Sequence, residues 1–196
     1  AGYESWDPKA DDYSGLMDEV KGSGADSVVL AGLTEQNGAK LIQDKVATLG
    51  DNETVRLLGF DGFAQQATID DAGEAAAGMF ASVPGRTPGS LEGPGAELVN
   101  GLESDLGGEP VELFAPYAGQ AAEVLLTAIE SGAERASTIE ALFETDVTDG
   151  IIGSFRITPR GDPSASTITA LVAEDRFKPV EQVDPERDLI AAARGE

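Results

Sequence analysis

Short apolar runs alternate with amphipathic stretches along the first 84 residues of the chain. The apolar runs are bounded by polar or glycine residues and predict buried strands at 27–32, 54–60 and 78–84. The amphipathic stretches predict helices at 12–21, 34–50 and 63–71. In the second of these helices, Thr34 is predicted as the N-cap and Gly50 as the stop. This alternation is typical of an α/β fold with a Rossmann-like, doubly wound parallel sheet.

The pattern changes after residue 84. Segment 85–95 is rich in proline and glycine, which predicts a linker or a crossing between lobes. Helices are predicted next at 95–106, 114–131 and 137–144, with no strand between them. Strands are predicted again at 151–158, 167–174 and 178–183, before a charged, alanine-rich tail at 184–196. A block of helices without a sheet lacks a partner for its apolar faces.

Charge and composition exclude several classes of function. The chain has 13 Lys and Arg against 36 Asp and Glu, a net charge of −23. Such a field repels phosphate backbones and anionic lipid, so we expect no nucleic-acid or membrane-surface partner. The absence of cysteine and histidine excludes disulfides, thiol catalysis and histidine-dependent triads. Acid–base chemistry would have to rest on carboxylates, lysine or tyrosine. An enzyme that uses carboxylates alone, such as a glycosidase, is one alternative. Our expectation is a protein that is not an enzyme, with no catalytic residues, no metal and no cofactor.

The 196 residues suffice for one domain or two small lobes. No apolar run approaches the roughly 20 residues that span a bilayer. The first residues lack the basic and apolar regions of a signal peptide, as a mature chain or a fragment would.

Asp61 stands out because it directly follows a predicted strand and precedes Gly62 and Phe63. Ligands of open α/β sheets gather at the carboxyl ends of strands, where a carboxylate flanked by aromatic residues can pair with an ammonium group. The alternative is a turn aspartate that caps the following helix. Leu33 and Thr34 follow the preceding strand and are candidates for the same crevice, although an N-cap role is the stronger expectation for Thr34.

Seven short motifs then follow one another in a recognisable order, at 7–14, 24–29, 59–63, 73–79, 117–122, 150–155 and 161–163. The third reads Gly-Phe-Asp-Gly-Phe and contains Asp61. The series resembles the C-terminal portion of the type I periplasmic solute-binding proteins, in the branched-chain amino-acid (leucine/isoleucine/valine) binding family. The similarity extends over nearly the whole chain.

The resemblance implies two lobes joined by three crossings, with the ligand held between them. Residues 1–84 and 160–196 would form the second ligand-binding lobe, incomplete at its start. Residues 85–159 would be a helical segment that normally packs on the first lobe. The strands of that first lobe are missing here, so either the chain is a fragment or a partner supplies the rest.

The resemblance also assigns site residues. The ammonium-binding acid of the family corresponds to Asp61, with Asp in place of the Glu that is often found there, and Phe60, Gly62 and Phe63 flank it. A family aromatic corresponds to Leu33 or Thr34, so an aromatic contact is lost. Tyr117 corresponds to a family tyrosine near the mouth of the crevice, although a core role on its helix is an equal alternative.

The function implied is that of an extracytoplasmic solute-binding protein, periplasmic or extracellular and lipid-anchored in some forms. It would bind a branched-chain or related amino acid and deliver it to the permease of an ABC importer. The alternative is a ligand-sensing domain of a signalling receptor with the same fold. Because 95–144 would lack its covering sheet, self-association or partial disorder of that region is expected in isolation.

Overall fold

A computed structural model describes residues 2–164 and 167–186 of the chain. The elements in chain order are α1 (Ser14–Gly22), β1 (Ser27–Leu30), α2 (Gly38–Leu49), β2 (Arg56–Gly59), α3 (Gln66–Ala72), β3 (Phe80–Pro84), α4 (Pro94–Asp105), α5 (Ala115–Ser131), α6 (Arg135–Phe143), β4 (Asp146–Gly150), β5 (Gly153–Arg156), β6 (Ile168–Ala173) and β7 (Phe177–Val183). Short 3-10 turns lie at Asp61–Phe63, Gly73–Ala76 and Pro88–Ser90. The part of the predicted tail beyond Glu186 lies outside the described residues.

The chain forms two compact units. Unit 1 contains Ala1–Pro84 and Ile168–Val183, and unit 2 contains Gly85–Thr167 and Asp184–Glu196.

Unit 1 is built on a five-stranded sheet in the order β1-β2-β3-β6-β7. The first three strands are parallel, in a register that pairs Val28 with Leu57 and Leu58 with Phe80. This confirms the predicted α/β class with a parallel sheet. The last two strands add an antiparallel hairpin, with β6 antiparallel to both β3 and β7. The apolar runs predicted these strands without their direction. The connection between β6 and β7 spans only residues 174–176, which is too short for the crossover that a parallel pair needs.

The three helices of unit 1 pack into one core cluster with a single face of the sheet. Met17 of α1 and Ile42 of α2 are buried there with Leu30 and Leu57 of the strands. Residues paired across the other face form an apolar row, comprising Val29, Leu58, Phe80 and Val172. Val29 is 56% exposed at the end of this row, so the second face presents apolar surface.

Helix α2 begins later than the sequence predicts. Its first residue is Gly38, and its N-cap position is Asn37 with a left-handed φ of 62°. The prediction that Thr34 is the N-cap is therefore wrong. The intervening residues form a turn closed by the Gly38 N–H on the Thr34 carbonyl, and the Thr34 hydroxyl bonds elsewhere. The predicted stop at Gly50 is confirmed, with φ of 90° that favours glycine.

Unit 2 contains α4, α5 and α6 and a two-stranded antiparallel sheet of β4 and β5. The predicted strand at 151–158 is confirmed only at its centre, as β5, because Ile151 and Ile152 form the turn between β4 and β5. The apolar run was misleading since Ile151 is buried in a turn. Strand β4 was missed because its sequence, Asp-Val-Thr-Asp-Gly, has little apolar character. The helical block thus has a small sheet of its own.

Lys45 is an almost fully buried cation in the core of unit 1. Its ammonium donates to the carbonyls of Gly50, Asp51 and Val55, and to Asn52 Oδ1 at 2.9 Å. The Asn52 amide in turn donates to the carbonyls of Ala75 and Ala77, at 2.9 Å each. Burial lowers the pKa of the Lys45 ammonium. Lys45 therefore ties α2 to the α2–β2 loop, and Asn52 ties that loop to the segment before β3.

We expect Lys45→Met to lower the free energy of unfolding by about 3 kcal/mol, because several buried carbonyls lose a charged donor. Urea denaturation followed by circular dichroism measures the change. Lys9→Met, at an exposed position, is the control and should shift stability by less than about 0.5 kcal/mol. Equal stability of Lys45→Met and the unmodified chain would contradict a structural role for the ammonium.

Candidate ligand-binding site

Two loops meet at the carboxyl ends of neighbouring parallel strands in unit 1. The loop after β1 carries Leu33 and Thr34, and the loop after β2 carries Asp61 and Gly62. The Thr34 N–H and the Thr34 hydroxyl both donate to the Gly62 carbonyl, each at 3.1 Å. The structure therefore brings these four predicted site residues together.

The two loops approach so closely that only glycine fits at position 62. A Cβ at Gly62 would lie 2.4 Å from the Gly32 carbonyl oxygen and 2.7 Å from Leu33 Cδ2. A real Cβ does not come so close to a backbone atom. The two loops can therefore make this contact only because residue 62 has no side chain.

Asp61 is exposed and opens the 3-10 turn Asp61–Phe63. Its Oδ1 accepts the Gly62 N–H at 3.1 Å, and its carbonyl accepts the Ala64 N–H at 3.0 Å. The N-cap position of α3 is Gln65, so Asp61 does not cap that helix. Among the described residues, no Lys or Arg forms an ion pair with this carboxylate. It is therefore available to a cation from outside the unit.

Apolar side chains lie on the same two loops as this carboxylate. Leu33 is 48% exposed and Phe60 is 43% exposed. Phe63 is instead completely buried in the core. A Cβ at Gly38 or at Gly59 would meet the Phe63 side chain at 2.5 and 2.7 Å, respectively. Phe63 thus supports the turn from below, while Leu33 and Phe60 present apolar surface beside Asp61.

Trp6 and Thr68 also belong to this region, although sequence reasoning did not select them. The Trp6 indole lies over Gly32, where a Cβ would be 2.4 Å from Cη2, and its N–H donates to the Gln36 carbonyl at 2.9 Å. The buried Thr68 hydroxyl is 2.6 Å from that of Thr34. As the only tryptophan of the chain, Trp6 could have been selected from the sequence as a candidate site residue. Nothing in the sequence distinguishes Thr68 from other threonines in helices.

Tyr117 lies on α5 in unit 2. Its hydroxyl donates to the Arg86 carbonyl at 2.9 Å and accepts the Arg86 N–H at 2.6 Å. Burial raises the pKa of the Tyr117 phenol. Its ring packs edge-on against Phe114, with centroids 6.3 Å apart. Within unit 2, Tyr117 therefore fixes the start of segment 85–95.

Within residues 2–164 and 167–186, no group of three or more acidic side chains is placed to hold a metal ion. None of the helices in these ranges has the length and apolarity that a bilayer crossing requires.

The family model described as "Periplasmic binding protein" matches residues 1–174. The chain belongs to this periplasmic binding protein family. Members of the family are non-enzymatic, extracytoplasmic solute-binding proteins. No curated protein matches the chain by sequence.

Solved structures show the same type I fold. A leucine binding protein LivK from Thermotoga maritima is 21% identical with a TM-score of 0.77, over 90% of this chain and 50% of that one. A substrate-binding protein LivJ from Streptococcus pneumoniae, in complex with isoleucine, is 16% identical with a TM-score of 0.75, over 90% and 50%. A solute binding protein from R. palustris, in complex with benzoate, is 15% identical with a TM-score of 0.70, over 90% and 48%. This periplasmic binding protein thus spans about half the length of these relatives.

We expect Gly62→Ala to lower the free energy of unfolding by about 2 kcal/mol, since the new methyl group must displace the Gly32 carbonyl or Leu33. Gly15→Ala is the matched control, because nothing lies within 4 Å of its Cβ position in α1. The control should stabilise the chain by about 0.5–1 kcal/mol through helix propensity. Urea denaturation of both variants measures the difference, and an equal response would contradict the close approach of the loops.

Proposed function

We propose that this chain provides a ligand-binding lobe of an ABC importer's solute-binding protein, in which Asp61 binds the ammonium group of an amino acid or related solute. One observation carries the proposal. An exposed carboxylate without a cation partner among the described residues stands beside exposed Leu33 and Phe60, at the carboxyl ends of two parallel strands. The carboxylate matches the α-ammonium group of a branched-chain amino acid, and the apolar surface beside it matches the aliphatic side chain.

The relatives support the same class of ligand. The S. pneumoniae protein is in complex with isoleucine, and a relative from Thermus thermophilus has bound valine. Benzoate in the R. palustris protein is an alternative that lacks an ammonium group. The negative charge of Asp61 favours the amino acid over the benzoate anion, because like charges repel. In the proposed mechanism, closure of a second lobe over this site buries the ligand and presents the closed form to the permease.

In the intact protein, we expect Asp61→Asn to weaken binding of L-leucine by roughly 10- to 100-fold, the loss of one charge-assisted hydrogen bond. Isothermal titration calorimetry with L-leucine and with benzoate measures this effect. Asp18→Asn, at an exposed position of α1, is the control and should retain full affinity for L-leucine.

Two results would contradict the proposal. Unchanged affinity of Asp61→Asn for L-leucine would refute the ammonium contact. Binding of benzoate but not of L-leucine by the unmodified protein would refute the class of ligand.

We further propose that α5 and α6 pack against a first lobe formed by residues outside this chain. Large apolar side chains on these helices are exposed, namely Leu125, Leu126, Ile129, Ile139 and Phe143. Leu126 is the most exposed of the five at 61%, and a group of exposed apolar side chains on two neighbouring helices is typical of an interaction surface. The half-length match to the solved relatives is consistent with a missing covering layer.

We expect the isolated chain to self-associate through this apolar surface. Association should increase with salt, because screening weakens the repulsion between copies that each carry a net charge of −23. Sedimentation velocity at low and high salt tests both points. Leu126→Ser combined with Phe143→Ser should restore the monomer, whereas Val180→Ser, an exposed valine of β7, should not. A monodisperse monomer with strongly protected amides in α5 and α6 would contradict the proposal.

A further inference from the structure

A chain of hydroxyl groups ends on the Gly62 carbonyl in unit 1. The Thr34 hydroxyl donates to that carbonyl at 3.1 Å and lies 2.6 Å from the Thr68 hydroxyl. A hydroxyl has one proton to donate, and a carbonyl only accepts. Because Thr34 donates its proton to Gly62, Thr68 must be the donor to Thr34. The direction of the whole chain, from Thr68 through Thr34 to Gly62, is thereby fixed.

The Gly62 carbonyl receives three donors in all. Besides the hydroxyl and the N–H of Thr34, the Gln65 amide donates to it at 3.2 Å. The Gly62 N–H is bound on its other side by Asp61 Oδ1. Hydrogen bonds therefore hold Gly62 at both its N–H and its carbonyl. Because Gly62 directly follows Asp61, the fixed Gly62 peptide limits where the Asp61 carboxylate can lie.

Neither threonine is placed to touch a ligand. Thr68 is 0% exposed and Thr34 is 6% exposed, and each hydroxyl proton is already donated. We propose that Thr34 and Thr68 are positioning residues, which hold the turn that carries Asp61 in the geometry that binds an ammonium group. This inference rests on the proposed function. It also revises the expectation that Thr34 lines the crevice directly.

The hydroxyl chain predicts an order of effects among the variants. Thr34→Val removes the donor to Gly62 and leaves the buried Thr68 hydroxyl without its acceptor. Thr68→Val removes only the outer donor, so its effect should be smaller. Thr34→Ser keeps the hydroxyl and should behave as the unmodified protein. Thr169→Val, at another fully buried threonine in the same unit, controls for the general cost of losing a buried hydroxyl.

Two measurements test the inference. The first is amide hydrogen exchange by NMR at residues 34 and 64, whose N–H groups bond to the Gly62 and Asp61 carbonyls. Thr34→Val should accelerate exchange at both by roughly tenfold, the effect of losing one buried hydrogen bond. The second is L-leucine affinity of the intact protein by calorimetry, which should fall by a similar factor in Thr34→Val and by less in Thr68→Val. Trp6 fluorescence reports movement of the loop at Gly32 in the same samples.

A double-mutant cycle separates positioning from general destabilisation. If Thr34 acts through Asp61, Thr34→Val should weaken L-leucine binding much less in an Asp61→Asn background. An equal fold-loss in both backgrounds, or unchanged exchange at residues 34 and 64, would overturn the inference. Loss of affinity in Thr34→Ser equal to that in Thr34→Val would also overturn it. If Asp61→Asn alone leaves affinity intact, the proposed function fails, while the exchange rates still decide whether the hydroxyls hold the turn.

Discussion

The arrangement of the candidate site depends on one contact, the approach of the Gly62 backbone to the loop after β1. Parallel strands bring their carboxyl ends to the same edge of a sheet, but they do not by themselves fix the loops that follow. Here the Gly62 carbonyl accepts two hydrogen bonds from Thr34, and no side chain intervenes between Gly62 and Gly32. This contact sets the position of Leu33 relative to Asp61. It therefore places the apolar surface of the site beside its negative charge.

The core below the site explains why the loops can be so close. Phe63 fills the space under Gly38 and Gly59, two positions where a Cβ would collide with its side chain. Above them, the Trp6 indole occupies the space that a side chain at Gly32 would need. Aromatic rings thus occupy the space that side chains at Gly32, Gly38 and Gly59 would need. Three glycines and two aromatic residues, which are dispersed between residues 6 and 63, thus pack together around the site.

Apolar surface in both units agrees with the partial match to longer relatives. In unit 1 the row that contains Val29 and Phe80 lies on one face of the sheet, and in unit 2 the exposed residues of α5 and α6 include Leu126 and Phe143. A net charge of −23 opposes the association that such surfaces favour.

The sequence by itself determined the fold class, most strands and helices of unit 1, and the location of Asp61 at the end of a strand. These features follow from apolar periodicity and from glycine stops, which act over a few residues. Strand β4 was missed because its residues are polar, and Ile151 was misassigned because a buried turn is as apolar as a strand. Only the tertiary structure decided that Thr34 bonds to Gly62 instead of capping α2, that Thr68 is its donor, and that Phe63 is core. Those outcomes depend on contacts between residues about 30 positions apart, and no local pattern encodes which hydroxyl will meet which carbonyl when two loops and a helix come together.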